Sequence, residues 1–131
     1  MKYYTLDNDH NVVESSDYVS TPMDKCIVQK TVLDLQGNLV HTKDVKYTEC
    51  HAVAADQLEI STVFLGIDHS FGGGKPVLFE TMCFSGSYTD LYCRRYRTWD
   101  RAYQGHFELL ERIVSILKTK KLTDFRALEI E

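Results

Sequence analysis

The sequence lacks the features that would place a protein in a membrane, on a secretory route or on duplex nucleic acid. No apolar run approaches the ~20 residues that a membrane-spanning helix needs, and the opening residues lack the apolar core of a secretion signal. The chain has 15 Lys and Arg against 19 Asp and Glu, a formal net charge of -4. General binders of duplex nucleic acid carry a basic excess instead. These absences predict a soluble, intracellular protein that has no membrane and no duplex as its partner.

The sequence lacks closely spaced cysteines, since its four lie far apart at Cys26, Cys50, Cys83 and Cys93. Zinc ribbons and redox dithiols use closely spaced cysteine pairs, so this spacing predicts free, buried thiols. Cys50 and His51 are adjacent, but neighbouring positions on a strand point to opposite faces, which disfavours a shared metal ion. We therefore expect neither a metal site nor a cofactor.

What the chain does have is enough apolar sequence for one core. It contains 131 residues, of which 44% are hydrophobic, and a chain of this size fits a single domain over residues 1–131. No internal repeat and no linker interrupts it. The small core makes a homodimer a reasonable expectation.

Strand-forming segments separated by turn residues predict a sheet built of hairpins. A tyrosine-rich start and two valines flank the turn Asp7–Asn11, and Pro22–Cys26 favours one helical turn. The run Leu58–Ile67 is apolar on both faces, which indicates the central strand. The remaining predicted strands are 26–35 and 39–47 around the turn Gln36-Gly37-Asn38, then 76–84 and 88–97.

A long amphipathic helix is predicted from Trp99 to about Lys118, with Thr98 as its N-cap. His106 falls on the helix face that also carries the apolar residues, so it should look toward the sheet. The closing segment, residues 125–130, is apolar enough to dock on other apolar surface, and a second subunit is one such surface. The expected fold is α+β: an antiparallel sheet of hairpins with one long C-terminal helix packed on one face.

The loop Asp68–Lys75 contains three consecutive glycines, and backbone N–H groups in such turns can cradle anions. A P-loop would need a glycine five residues before the Gly74-Lys75 step, but His69 stands there, and Pro76 rather than Ser or Thr follows. The segment after Lys75 is a predicted strand, which also excludes a dinucleotide-binding turn. The loop is expected to be the mobile crest of a hairpin.

The segment after this hairpin concentrates cationic and aromatic side chains. Guanidinium groups bind phosphate and aromatic rings stack on bases, so the composition suits a nucleotide or another anionic ligand. Strand alternation predicts Arg95 and Arg97 on one face and Arg94 on the other. The structural alternative is that Arg95 or Arg97 pairs with Glu80 on the neighbouring strand. The cluster consists of Arg94, Arg95, Arg97 and Arg101 with Tyr92, Tyr96 and Trp99.

Acid–base chemistry is the third possibility that the residues allow. A histidine and a carboxylate within hydrogen-bond reach can move protons near neutral pH, and the available groups are Asp68, His69, Glu80 and His106. Alternatively, His106 is a satisfied, half-buried residue behind Gly105, whose small size lets the helix approach the sheet closely. No hydrolase, metalloprotease or kinase signature is present, so the residues favour a binding protein over an enzyme.

The run STVFLGIDHSFGGGKPVLFETM, over residues 61–82, resembles a pattern found in a group of small bacteriophage and prophage proteins. The resemblance continues in Tyr96, in Thr98-Trp99 and in Gly105-His106, and it covers about half of the chain. This sequence differs from the pattern by Lys75, by Arg101 and by a longer hairpin around residues 34–47. The resemblance carries no established activity. It implies a viral accessory protein that acts in a bacterial cytoplasm.

Accessory proteins of phages often act by binding, which leaves three functional hypotheses. The first is sequestration of an anionic, nucleotide-like molecule used in host defence. The second is inhibition of a host defence complex through protein–protein contact. The third is a small hydrolase that uses His69, His106 and Glu80. The residues expected to bind the ligand are Asp68, His69, Lys75, Arg94, Arg95, Tyr96, Arg97, Trp99 and His106.

Overall fold

The computed structural model describes residues 2–17, 21–42, 54–68, 70, 74–86 and 88–130. An N-terminal hairpin is followed by one helical turn, a five-stranded antiparallel sheet, a long helix and a short 3₁₀ helix. The α+β class predicted from the sequence is therefore confirmed. The elements are β1 Tyr3–Leu6, β2 Val12–Ser15, α1 Met23–Cys26, β3 Ile27–Asp34, β4 Leu39–Thr42, β5 Gln57–Phe64, β6 Phe79–Ser85, β7 Tyr88–Tyr96, α2 Trp99–Thr119 and the 3₁₀ helix Phe125–Ala127.

The large sheet has the order β4-β3-β5-β6-β7, which places β5 in the middle, as its two apolar faces predicted. The β3–β4 turn uses Gly37 at φ 83°, a backbone conformation that glycine adopts without steric cost. The ladder of β5 ends at Phe64 rather than at Ile67, because the chain turns away at Gly66, whose φ is 75°. The predicted continuation of β4 to residue 47 lies outside the described residues.

Helix α2 begins as its sequence predicts. The Thr98 side chain accepts a hydrogen bond from the backbone N–H of Arg101 at 3.1 Å, which satisfies one of the free amides of the first turn. The helix then crosses one face of the sheet. Its buried residues recur at helical spacing and are Ala102, Gly105, His106, Leu109, Ile113 and Leu117.

The C-terminal segment docks on the chain's own core. Phe125 is fully buried and Leu128 nearly so, and both belong to the apolar cluster beneath the second half of α2. A second subunit is therefore not needed to cover these two side chains. The expectation of a homodimer loses the part of its support that came from this segment.

The sheet face opposite α2 carries a buried ion pair that the sequence did not indicate. Lys30 and Glu59 lie on neighbouring strands, and the Lys30 Nζ is 2.6 Å from the Glu59 carboxylate. Their side chains are only 9% and 8% exposed. Both charges are shielded from water. Removal of either partner would therefore leave the other charge buried without this counterion.

Three of the four cysteines fall within the described residues, and none of the three forms a disulfide: Cys26, Cys83 and Cys93. Cys83 is buried, and loss of water raises the pKa of its thiol to about 12. Cys26 is partly buried, whereas Cys93 is exposed, so the prediction of buried thiols was wrong for Cys93. The alternative of a metal ion held by Cys50 and His51 lies outside the described residues.

Candidate functional site

Three threonine hydroxyls and one histidine ring form a hydrogen-bonded chain across the sheet beneath α2. Thr31, Thr62 and Thr81 stand on β3, β5 and β6, and the Thr62 and Thr81 hydroxyls are 2.5 Å apart. The His106 ring lies between two of these hydroxyls. Its Nε2 is 2.9 Å from the Thr31 hydroxyl and its Nδ1 is 2.8 Å from the Thr62 hydroxyl. These groups separate the apolar cluster around Leu33 and Ile60 from the cluster around Phe64 and Phe79.

His106 is placed for structure rather than for reaction with a ligand. The side chain is fully buried, and both of its ring nitrogens are occupied by threonine hydroxyls. Burial disfavours the charged imidazolium and lowers the His106 pKa to about 4. A neutral, enclosed ring cannot exchange protons with a substrate at neutral pH. This position matches the structural alternative given above, with full rather than half burial.

Gly105 brings the helix close to the sheet, as the sequence suggested. A Cβ atom at this position would lie 2.4 Å from Cε1 of Tyr96 and 2.5 Å from its hydroxyl oxygen. The Tyr96 side chain therefore occupies the space that any other residue at position 105 would need. The buried Tyr96 hydroxyl makes no hydrogen bond of good geometry with the described residues. Burial raises the Tyr96 pKa and outweighs the opposite effect of the nearby Thr81 side chain.

Three of the predicted arginines, Arg94, Arg95 and Arg97, do not converge on one site. Glu80 and Arg95 are paired across β6 and β7, and Arg95 Nε donates to the Glu80 carboxylate at 2.9 Å on the face opposite α2. Arg94 points to the other face, with its guanidinium 5.5 Å from the centroid of the Tyr96 ring. Arg97 donates from Nε to the backbone carbonyl of Lys75 at 3.2 Å. The cross-strand pair with Glu80, one of the two alternatives for Arg95, is thus what forms.

The glycine loop is tied down at its base by Asp68. One oxygen of that carboxylate accepts hydrogen bonds from the backbone N–H groups of Ser70 and Val77, each at 2.8 Å. The other oxygen accepts from the Ser70 hydroxyl at 2.9 Å. Asp68 therefore joins the two ends of the loop. Lys75 is exposed at the end of the loop, and His69 lies outside the described residues.

The expected acid–base group is not assembled by His106 and Glu80. His106 lies under α2, whereas Glu80 is on the opposite face of the sheet with Arg95 as its partner. The five-stranded sheet stands between the two side chains. These two residues therefore give the hydrolase hypothesis no support.

A concave surface does form around Trp99, with different neighbours from those expected. The β1–β2 turn, α1 and the first residue of α2 enclose a cleft of about 220 Å³. Its lining combines apolar side chains with a lysine, an amide and a carboxylate, and consists of Leu6, Asp7, Asn8, His10, Lys25, Ile27 and Trp99. Trp99 packs edge-on against Phe79, with ring centroids 6.3 Å apart, which anchors the indole to the core.

The open face of Trp99 is covered by a second flat ring. The His10 imidazole lies parallel to the indole, with ring centroids 3.7 Å apart and an angle of 5° between the ring planes. His10 adopts φ 64°, a left-handed conformation that is uncommon for residues other than glycine. The turn is held by Asp7, whose Oδ1 accepts from the N–H groups of Asp9 and Asn11, each at 2.9 Å. The bonds to Asn11 are foremost in lowering the Asp7 pKa.

Of the predicted ligand residues that the structure describes, only Trp99 lines this cleft. His10 and Lys25 were not predicted, because nothing in the sequence shows that positions 10, 25 and 99 meet. The available signal was weak: a histidine within a polar turn cluster in a chain that has a single tryptophan. Turn histidines are common and ordinarily solvated, so this signal could not select His10.

Comparison with protein-family models, with curated proteins and with solved structures finds no match for this chain. Across the described ranges, no three side chains of His, Cys, Asp or Glu are grouped so that they could hold a metal ion. The same residues include no helix with the length and apolar character needed to cross a membrane.

Proposed function

We propose that this chain is a binding protein for an anionic, nucleotide-like small molecule whose ring stacks on Trp99. The observation that supports the proposal is the parallel stack of His10 on the indole, 3.7 Å between centroids, at the edge of a concave cleft. That arrangement is the one in which a base lies on an aromatic side chain. The imidazole therefore marks a position that a planar heterocycle fits.

The rest of the cleft supplies groups that suit such a ligand. Lys25 is exposed at the cleft and offers a cation to a phosphate, while the Asn8 side chain can donate to and accept from a base edge. Asp7 is the one carboxylate in the described lining, and its Oδ1 already accepts two backbone hydrogen bonds. We therefore place the anionic group of the ligand beside Lys25 and away from Asp7.

Binding on the indole face requires His10 to leave it. The left-handed backbone at His10 costs on the order of 1 kcal/mol, and the residue lies in an exposed turn between two four-residue strands. Rotation of the side chain can move the imidazole off the indole without opening the turn, because the hydrogen bonds that hold the turn are made by Asp7. Base stacking on an aromatic side chain contributes about 1–3 kcal/mol per base. A base that covers more of the indole than the imidazole does can therefore displace it.

The resemblance to phage proteins suggests what the ligand is for. A phage-type accessory protein in a bacterial cytoplasm would use this cleft to sequester a nucleotide signal of host defence. Cyclic dinucleotides and cyclic ADP-ribose isomers carry both the ring and the anionic groups that the cleft suits. They form the panel to be tested.

Intrinsic fluorescence reports directly on this cleft, because Trp99 is the only tryptophan in the chain. Titration with one member of the panel should quench the emission, and calorimetry should give the same Kd. We expect Lys25→Ala to weaken binding by about tenfold through loss of a charge-assisted hydrogen bond. His10→Ala should tighten binding, since it frees the indole face.

Arg95→Ala is the matched control, since it also removes one positive charge but acts on the far face of the sheet. Its affinity should equal that of the wild type. Absence of quenching and of heat for every member of the panel would contradict the proposal. Equal weakening by Lys25→Ala and Arg95→Ala would also contradict it, because charge alone would then explain the effect.

A second candidate function is inhibition of a host protein through the outer surface of α2. Tyr103 and Phe107 are 46% and 38% exposed, lie one turn apart and contact each other with centroids 5.0 Å apart. Exposed aromatic pairs of this kind are typical binding anchors. The double variant Tyr103→Ser with Phe107→Ser should lose capture of a host defence protein that the wild type retains. If capture is lost instead in Lys25→Ala, the cleft rather than the helix is the binding surface.

A further inference from the structure

Two guanidinium groups rest on one buried ring at the junction of β7 and α2. The guanidinium of Arg94 lies 5.5 Å and that of Arg101 lies 5.9 Å from the centroid of the Tyr96 ring. Tyr96 is only 5% exposed, and Gly105 leaves just enough room for it. Because its neighbours hold the Tyr96 ring in place, the ring orients both guanidinium groups before a ligand binds.

An anion of the protein itself lies among these cations. Glu108 accepts a hydrogen bond from Arg101 at 2.7 Å. That bond, followed by the charges of Arg101, Arg94 and Arg112, lowers the Glu108 pKa. Among the described residues, an ion pair is formed by Arg101 but not by Arg94. The charge of Arg112 also acts on Glu108, so the cations around this carboxylate outnumber it.

The internal carboxylate is not firmly held. The Arg101 and Glu108 side chains are 41% and 49% exposed, so water screens their attraction and the pair can open at little cost. Backbone capping of α2 would survive, because the bond to Thr98 is made by the Arg101 backbone N–H and not by its side chain. A stronger anion could therefore replace Glu108 without disturbing the fold.

We propose that Arg94 and Arg101 bind a phosphate group at the position that the Glu108 carboxylate now occupies. Phosphate has three terminal oxygens, so it can accept bidentate hydrogen bonds from two guanidinium groups at once, which one carboxylate does less well. Its charge also matches two cations better than that of a single carboxylate. This site shares no residue with the Trp99 cleft and stands independently of the function proposed there.

Inorganic pyrophosphate is the probe, because it has the anion and lacks any ring. Titration into ¹⁵N-labelled protein should shift the side-chain Nε–H resonances of Arg94 and Arg101, with Trp99 fluorescence unchanged. Glu108→Gln should lower the Kd by about threefold or more, since it removes the competing carboxylate. Arg94→Ala should raise the Kd by about tenfold, and Arg94→Lys, which keeps the charge but not the planar fork, should raise it less.

Arg95→Ala serves as the charge-matched control on the opposite face of the sheet and should leave the Kd unchanged. The inference is overturned if Arg94→Ala and Arg95→Ala weaken pyrophosphate equally, or if Glu108→Gln fails to tighten it. Melting curves of each variant separate loss of binding from loss of fold. Failure here leaves the Trp99 titration unaffected, because pyrophosphate cannot stack on an indole.

Discussion

Replacement of Gly105 by alanine is expected to destabilise the protein by about 2 kcal/mol, although alanine is the better helix former. Alanine gains about 1 kcal/mol over glycine inside a helix. The new Cβ, however, would lie 2.4 Å from the Tyr96 ring, and overpacking of a core costs about 1–3 kcal/mol and occasionally more. At so short a separation the clash should exceed the gain in helix propensity.

A double-mutant cycle tests the cause. In a Tyr96→Leu background, space opens beside position 105, so Gly105→Ala should become neutral or stabilising by up to about 1 kcal/mol. Gln104→Ala, at an exposed neighbouring position of the same helix, should change stability by less than about 0.5 kcal/mol. Urea unfolding of the four cycle members and this control gives every free energy needed. Destabilisation that persists unchanged in the Tyr96→Leu background would show that Tyr96 is not the obstacle.

Acid is expected to destabilise the protein through His106 by up to about 3 kcal/mol between pH 6.5 and 4. The buried ring has a pKa of about 4, against 6.5 for the unperturbed residue. In that window the unfolded chain binds a proton at His106 that the folded chain does not, so stability falls as the pH falls. Below pH 4 both states are protonated and the loss from this residue is complete.

The groups that contact the His106 ring support the predicted direction, a loss of stability as the pH falls. Its described contacts are the Thr31 and Thr62 hydroxyls and the edge of Phe107, none of which could stabilise an imidazolium with a negative charge. Carboxylates such as Asp7 and Asp34 have lowered pKa values, so their own contribution to stability is lost at the acidic end of the same range. A reference variant is therefore required.

His106→Gln supplies that reference, since glutamine keeps a hydrogen-bonding side chain but does not titrate. Free energies of unfolding measured from pH 4 to 7 should converge for the two proteins as the pH falls, because only the wild type loses the His106 contribution. The NMR titration of the His106 ring should give its pKa in the folded state directly. Parallel stability curves, or a ring that titrates near pH 6.5, would contradict the prediction.

The elements of the fold could be predicted because each depends on neighbours in the sequence. Thr98 is a good N-cap wherever a helix follows, and Gln36-Gly37-Asn38 suits a tight turn for reasons of backbone sterics. Alternation along β7 also placed Arg94 and Arg95 on opposite faces. That same alternation argues against one site that holds Arg94 together with Arg95 and Arg97, although all three were predicted to bind the ligand.

The two sites proposed here could not be predicted in the same way. The Trp99 cleft depends on Lys25, which lies 74 positions before the tryptophan in the chain. The anion site depends on Arg94 of β7 and Arg101 of α2 packing on the same Tyr96 ring. These contacts depend on how a hairpin turn and a helix pack against the sheet. Local patterns carry no information on that packing.

The sequence by itself determined which residues form strands, where α2 begins, which face of it is apolar and that β5 is central, because these follow from short-range sterics and side-chain periodicity. Only the tertiary structure decided that His106 would be enclosed by Thr31 and Thr62, and that His10 would cover Trp99. The physical reason is that burial and stacking are properties of surfaces brought together from distant parts of the chain. The chemistry of each side chain is local, but its access to water and to a ligand is not.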